Sequence, residues 1–116
     1  MPEMSVARWG CAAVCIEGNV YVMGGNNGRS FLRSFLKSAE MYDRSAGQWR
    51  ALPEMSVARW GCAAVCIEGN VYVMSGFDGA AKLASVERYD PVANEWRTLP
   101  SMSTARSFSA AVACDL

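Results

Sequence analysis

Cys11 and Cys15, and again Cys62 and Cys66, stand in C-x-x-x-C spacing, a pairing that can close a disulfide or offer two ligands to a metal. In an extended strand, residues four apart lie on one face but ~13 Å from each other. A disulfide tolerates Cα atoms no more than about 7 Å apart, and a zinc site needs four ligands converging on one point. The chain has no histidine to add to such a set. All five cysteines, Cys114 included, are therefore expected to be free thiols, small core residues on inner strands. An approach of Cys11 to Cys62 between neighbouring units stays open.

The missing imidazole also weighs against catalysis. A Ser or Cys nucleophile needs a base within reach, and copper or iron centres draw on imidazole ligands. Glu40, Asp43, Glu87 and Asp90 recur at equivalent places, so they are expected to close turns or pair with Arg8 and Arg59 rather than to form an acid/base couple. The run Met23 to Gly28 is glycine-rich, yet no helix pattern follows it and no Lys-Ser/Thr ends it. It reads as a turn, not a phosphate cradle. No catalytic residue, metal or cofactor is expected.

The elements that position these residues come in copies. Pro2 to Met23 returns without a change as Pro53 to Met74. The register continues imperfectly through Ser38–Asp43 and Ser85–Asp90, then Gln48–Pro53 and Glu95–Pro100. Copies start at Met4, Met55 and Met102, spacings of 51 and 47 residues, too long for the common helical or leucine-rich repeats. Cys11–Ile16 and Val20–Met23 are apolar runs joined by Glu17-Gly18-Asn19, in which Gly18-Asn19 is a tight hairpin signal. Ser38–Tyr42 and Gln48–Leu52 flank turn chemistry at Asp43 to Gly47. Each unit is thus predicted to be a four-stranded antiparallel sheet whose first two strands are covered on both faces.

With 52% hydrophobic residues the chain can build a core, and eleven basic residues balance eleven acidic ones without a block of either sign. Neither nucleic acid nor an anionic membrane is an expected partner. Cys11–Ile16 is too short to span a bilayer and recurs internally, so it is not read as a removable leader. The expected location is cytoplasmic.

The landmarks Arg8, Tyr21, Gly24, Gly25, Glu40, Tyr42 and Trp49, followed by Arg59, Tyr72, Gly76, Glu87, Tyr89 and Trp96 and by Arg106 opening a third copy, closely resemble the kelch repeat. Ser75 departs from that pattern, replacing the first glycine of the doublet. The resemblance implies an all-β chain of four-stranded propeller blades with the first strand innermost. Blade 1 would run over about 4–54, blade 2 over about 55–101, and an extra inner strand over about 102–116. Trp49 and Trp96 are expected in the core between sheets; Trp9 and Trp60 are either core or rim.

The resemblance further implies a non-catalytic module that binds a protein or peptide, in the manner of substrate receptors of ubiquitin ligases. The BTB or F-box part of such adaptors is supplied by no residue of this chain. Binding is expected at the loops between second and third strands: Asn26, Asn27, Arg29, Phe31, Arg33 and Phe35 in one, Phe77, Asp78 and Lys82 in the other, joined by Trp9 and Trp60. Aromatic and Arg side chains are favoured interface anchors. The tandem RSFLRSFL in the first loop reads equally as a slip that a surface loop tolerates. Two alternatives remain: a self-assembling unit closing a six-bladed ring as a homotrimer, and a propeller enzyme.

Overall fold

The computed structural model describes residues 3–28 and 34–104. Arg29, Phe31, Arg33, Arg106, Cys114 and all but the first three residues of the extra strand expected over about 102–116 lie outside the described residues. Eight strands form two antiparallel sheets, β1 (Ala12–Ile16), β2 (Asn19–Met23), β3 (Ala39–Asp43) and β4 (Gln48–Leu52), then β5 (Ala63–Ile67), β6 (Asn70–Met74), β7 (Val86–Asp90) and β8 (Glu95–Leu99). Each sheet keeps its strands in chain order. The chain is all-β, a pair of blades from a partial propeller.

The hairpin chemistry differs from the sequence expectation in one detail. Ile16 pairs with Asn19, which leaves Glu17 and Gly18 as a two-residue loop with φ of 50° and 85°. Two successive positive φ values give the loop whose twist matches the strands it joins. The turn is therefore Glu17-Gly18 and not Gly18-Asn19. Asn19 begins β2, and its Oδ1 accepts the Arg44 N–H at 3.0 Å, tying the first hairpin to the second. At the β3–β4 turn Asp43 Oδ1 accepts the N–H groups of Ser45 and Ala46 at 3.0 and 3.1 Å, and Asp90 does the same for Val92 and Ala93. These aspartates close turns.

The sheets stack face to face. Register places Ala12, Tyr21, Met23 and Ala39 on one face of blade 1, and they share a core with Cys62, Val71, Val73 and Tyr89 from blade 2 and Met55 from the connection. Full burial of one such large side chain is worth about 1.5–3 kcal/mol, so the seam between sheets is a main source of stability. The closest approach between blades is β1 to β5, as radial packing with the first strand innermost requires. Backbone bonds stitch the same seam: Gly25 N–H to the Arg59 carbonyl at 2.6 Å, and Gly61 N–H to the Gly10 carbonyl at 2.8 Å.

The inner strands of blade 2 are the better covered, with Ala63, Val65, Val71 and Val73 buried, although Ile67 at the end of β5 is exposed. In β1, Ala13 and Cys15 are exposed, because their face is the one that no sheet of the described residues covers. Cys15 is thus a surface thiol, not a core residue. Cys11, Cys15, Cys62 and Cys66 are all free.

Candidate functional site: an aromatic cleft at the rim

Two side-chain clusters stand out, one repeated in each blade and one formed between the blades, and their chemistry differs. The first is built on the arginine that precedes each inner strand. Arg59 Nη1 donates to the carbonyls of Ser75 and Ser85 at 2.9 and 3.0 Å, and Nη2 to Ser85 Oγ and Glu87 Oε2 at 2.9 Å each. Arg8 repeats this with Gly24, Ser38 and Glu40. The side chains of both pairs are almost wholly buried, at 0% and 4% exposure for Arg8–Glu40 and 0% and 1% for Arg59–Glu87. Burial pushes the Glu40 carboxyl up, but the Ser5 N–H and hydroxyl and the Arg8 guanidinium outweigh it and hold the group below its ordinary value. A buried carboxylate that accepts three hydrogen bonds within its own blade is committed to structure. Glu40 and Glu87 knit the start of one inner strand to the third strand of the same blade.

The second cluster lies at the rim where β2 leads into β3. Short bridges outside the named strands join Trp9 to Asn26, Asn26 to Phe35, Trp60 to Phe77 and Phe77 to Lys82. They extend each sheet at its rim and set the aromatic side chains of two blades against each other. Trp60 stands edge-on to Trp9 with centroids 5.2 Å apart, Phe35 lies 6.4 Å from Trp60 and 5.6 Å from Phe77. Such edge-to-face pairs hold rings in fixed orientation. With Asn26 these four rings line one cavity of about 140 Å³.

Glycines seat the rings. A Cβ on Gly10, at φ 68°, would overlap the Trp60 indole, and one on Gly79 would come within 3.1 Å of the Phe35 ring. Neither glycine emerged from the sequence as part of a site. The Trp-Gly dipeptide, present at Trp9-Gly10 and at Trp60-Gly61, was the available signal.

Of the residues expected to bind a partner, the structure gathers Trp9, Asn26, Phe35, Trp60 and Phe77 around this cavity. The tryptophans are therefore rim and not core, with Trp9 56% exposed. Asn26 is buried at 7%; its Oδ1 accepts the Gly28 N–H at 2.7 Å, which makes it an organiser of the loop. Asn27 lines a separate hollow with Ser5, Val6 and Ala7. Asp78 is turned inward on its own loop, where the N–H groups of Ala81 and Ala80 hold its carboxyl below the usual value. Lys82 is exposed beside the cleft.

The volume decides what class of ligand fits. Small-molecule and cofactor sites occupy roughly 300–1,000 Å³, while this cleft offers about 140 Å³. That is room for a side chain, not for a cofactor. A larger hollow on the opposite rim, about 340 Å³, is lined by Glu17, Asn19, Arg44 and Ser45; it is the surface between two turns, and its Asn19–Arg44 bond is structural. Among the described residues no group of three or more His, Cys, Asp or Glu side chains is placed to hold a metal ion.

Comparison with known proteins agrees with this geometry. The kelch motif matches residues 7–56 and 58–103. An F-box/kelch-repeat protein of Arabidopsis thaliana is 37% identical over 78 residues, covering 66% of this chain and 19% of the plant protein. Spermatocyte protein spe-26 of Caenorhabditis elegans is 38% identical over 75 residues, 63% of this chain and 13% of its own length. A kelch repeat and BTB domain-containing protein of the same nematode is 42% identical over 60 residues, 52% and 10% respectively. This chain thus spans less than a fifth of each of these relatives.

Proposed function

The chain belongs to the kelch-repeat family, and from that premise we propose that it is a non-catalytic recognition module whose rim cleft anchors one bulky apolar side chain of a protein partner. The observation that carries this reading is the convergence of Trp9, Phe35, Trp60 and Phe77 from two blades on one cavity. Rigid aromatic rings around a desolvated pocket are where interface energy concentrates. Relatives named for F-box and BTB domains support a role in selecting substrates for a ubiquitin ligase, with the F-box or BTB part contributed by another segment or chain. A cytoplasmic setting belongs to the same reading, and free thiols accord with a reducing compartment.

The test is selection of ligands from a displayed random-peptide library. Selected peptides should share a bulky apolar anchor, and their affinity should fall by about 30-fold or more in Trp9→Ala, the loss of a hot-spot side chain. Trp9 is exposed enough that its removal leaves the fold intact. Peptides that bind Trp9→Ala and Phe77→Ala as tightly as wild type would refute the assignment of the cleft.

A further inference from the structure

Asn27-Gly28 is the one place in the chain where glycine follows an asparagine, and that pair carries a chemistry of its own. With no Cβ to crowd it, the glycine nitrogen can reach the preceding side-chain amide and close a small imide ring. Asn19 and Asn70 are each followed by valine, whose branched Cβ obstructs that approach; Asn26 is followed by Asn27 and Asn94 by Glu95. Asn27 is half-buried beside an exposed Gly28, and a Cβ placed on Gly28 would meet nothing within 4 Å, so the ring has room to form. We propose that Asn27 is a site of self-modification, converted through a succinimide to isoaspartate, and that Asn26 sets the rate.

The step needs no partner and no oxidant. The Gly28 nitrogen gives up its proton to hydroxide and bonds to the side-chain carbonyl carbon of Asn27; the amide carbon–nitrogen bond breaks, and ammonia leaves with a proton from water. Water then opens the imide at either carbonyl. Opening at the side-chain carbonyl gives aspartate. Opening at the main-chain carbonyl gives isoaspartate, in which the chain runs on through the side-chain carbon and the former main-chain carbonyl becomes a free carboxylate. Net, one amide and one water become one carboxylate and one ammonium ion.

The fold restrains the attacking atom. Asn26 Oδ1 accepts the Gly28 N–H at 2.7 Å, holding the nitrogen in the local turn that asparagine favours. Asn26 is itself fixed: it is buried at 7%, its N–H donates to the Trp9 carbonyl at 2.9 Å, and its carbonyl accepts the Trp9 N–H at 3.0 Å. The Asn27 N–H is held by the Ser34 carbonyl at 3.1 Å. Ring closure therefore waits for the Asn26–Gly28 bond to open. Afterwards the loop carries an added backbone carbon and an added negative charge, next to the Asn26 that bridges Trp9 and Phe35 in the aromatic cleft. An effect on partner capture rests on the reading of that cleft; the rearrangement does not, and it is measured with no partner present.

The test holds the intact chain in warm, mildly alkaline buffer for days and scores each asparagine by mass spectrometry, with fragmentation that tells isoaspartate from aspartate. Isoaspartate should appear at Asn27 ahead of the other asparagines, and Asn27→Ala should abolish it there. Asn26→Ala removes the restraining hydrogen bond, so Asn27 should convert about fivefold faster, equivalent to about 1 kcal/mol. Asn26→Asp keeps an acceptor for the Gly28 N–H and should convert as slowly as wild type. In urea the bond is gone, and the rates of wild type and both Asn26 variants should converge above that of the folded wild type. That comparison reads the restraint even where Asn26→Ala fails to fold. Conversion that starts at another asparagine, a folded wild type that converts as fast as its urea-unfolded form, or an Asn26→Asp variant as fast as Asn26→Ala would each overturn the proposal.

Discussion

Replacing Gly24 by alanine tests the seam where its geometry is tightest. Gly24 sits at φ 71°, a conformation that costs a residue with a Cβ about 1–2 kcal/mol. The new methyl would also overlap the Arg59 carbonyl oxygen, which accepts the neighbouring Gly25 N–H at 2.6 Å. Relief requires the Arg59 segment to withdraw, and the bond it loses is worth about 1 kcal/mol net. Together these put the loss at about 2–3 kcal/mol, a large part of the 5–15 kcal/mol that stabilises an ordinary domain. The chain carries its own control, because Ser75 occupies the equivalent place in blade 2 at φ 64°. Ser75→Gly relieves that backbone and should stabilise by about 1 kcal/mol. Urea titration at low concentration, with the slope unchanged between variants, reads both effects. The reasoning fails if Gly24→Ala falls within about 0.5 kcal/mol of wild type, the usual scatter of a surface change.

Glu87→Gln should cost about 3–5 kcal/mol, because it leaves the guanidinium of Arg59 buried without its counter-charge; Glu95→Gln, at the exposed pair with Arg97, should move the urea midpoint hardly at all. The Glu40 carboxyl has a folded value below the 4.5 of the unfolded chain, so its stabilisation is complete above pH 4.5 and is lost as pH falls through the folded value. Stability of wild type should drop in that acid window, and a Glu40→Gln variant should show a shallower drop there. Alkylation followed by mass spectrometry should label Cys15 first and Cys62 last, since Cys15 is exposed and burial pushes the Cys62 thiol up to about 11. A Cys11–Cys15 bridge found in the native chain would contradict the strand assignment.

The sheets were legible because each of their signals is local. Apolar runs, turn residues and the repeat fixed eight strands to within a residue or two. The recurrence of Glu40, Asp43, Glu87 and Asp90 pointed to turn closure or pairing with Arg8 and Arg59, and the register divides the two roles: the aspartates close turns and the glutamates pair. The hairpin turn was misplaced by one residue because glycine and asparagine together outweigh a Glu-Gly pair as a signal. Register and not composition decides which two residues are left over between Ile16 and Asn19.

Exposure was not legible, and the duplication shows why. Trp9 and Trp60 have the same neighbours in sequence for several residues on either side, yet Trp9 is 56% exposed and Trp60 only partly so. Trp60 has Gly10 beneath it, Trp9 at its edge and Phe35 across from it, all supplied by the preceding blade. Trp9 has no described blade before it to supply the same. The position that forms a wall of the cleft in blade 2 is therefore an open ring in blade 1. Burial in a stacked repeat belongs to the junction and not to the unit. The aromatic cleft of this chain arises between copies of a motif, where no reading of one copy can place it, and a preceding blade docked on blade 1 would build a second cleft around Trp9.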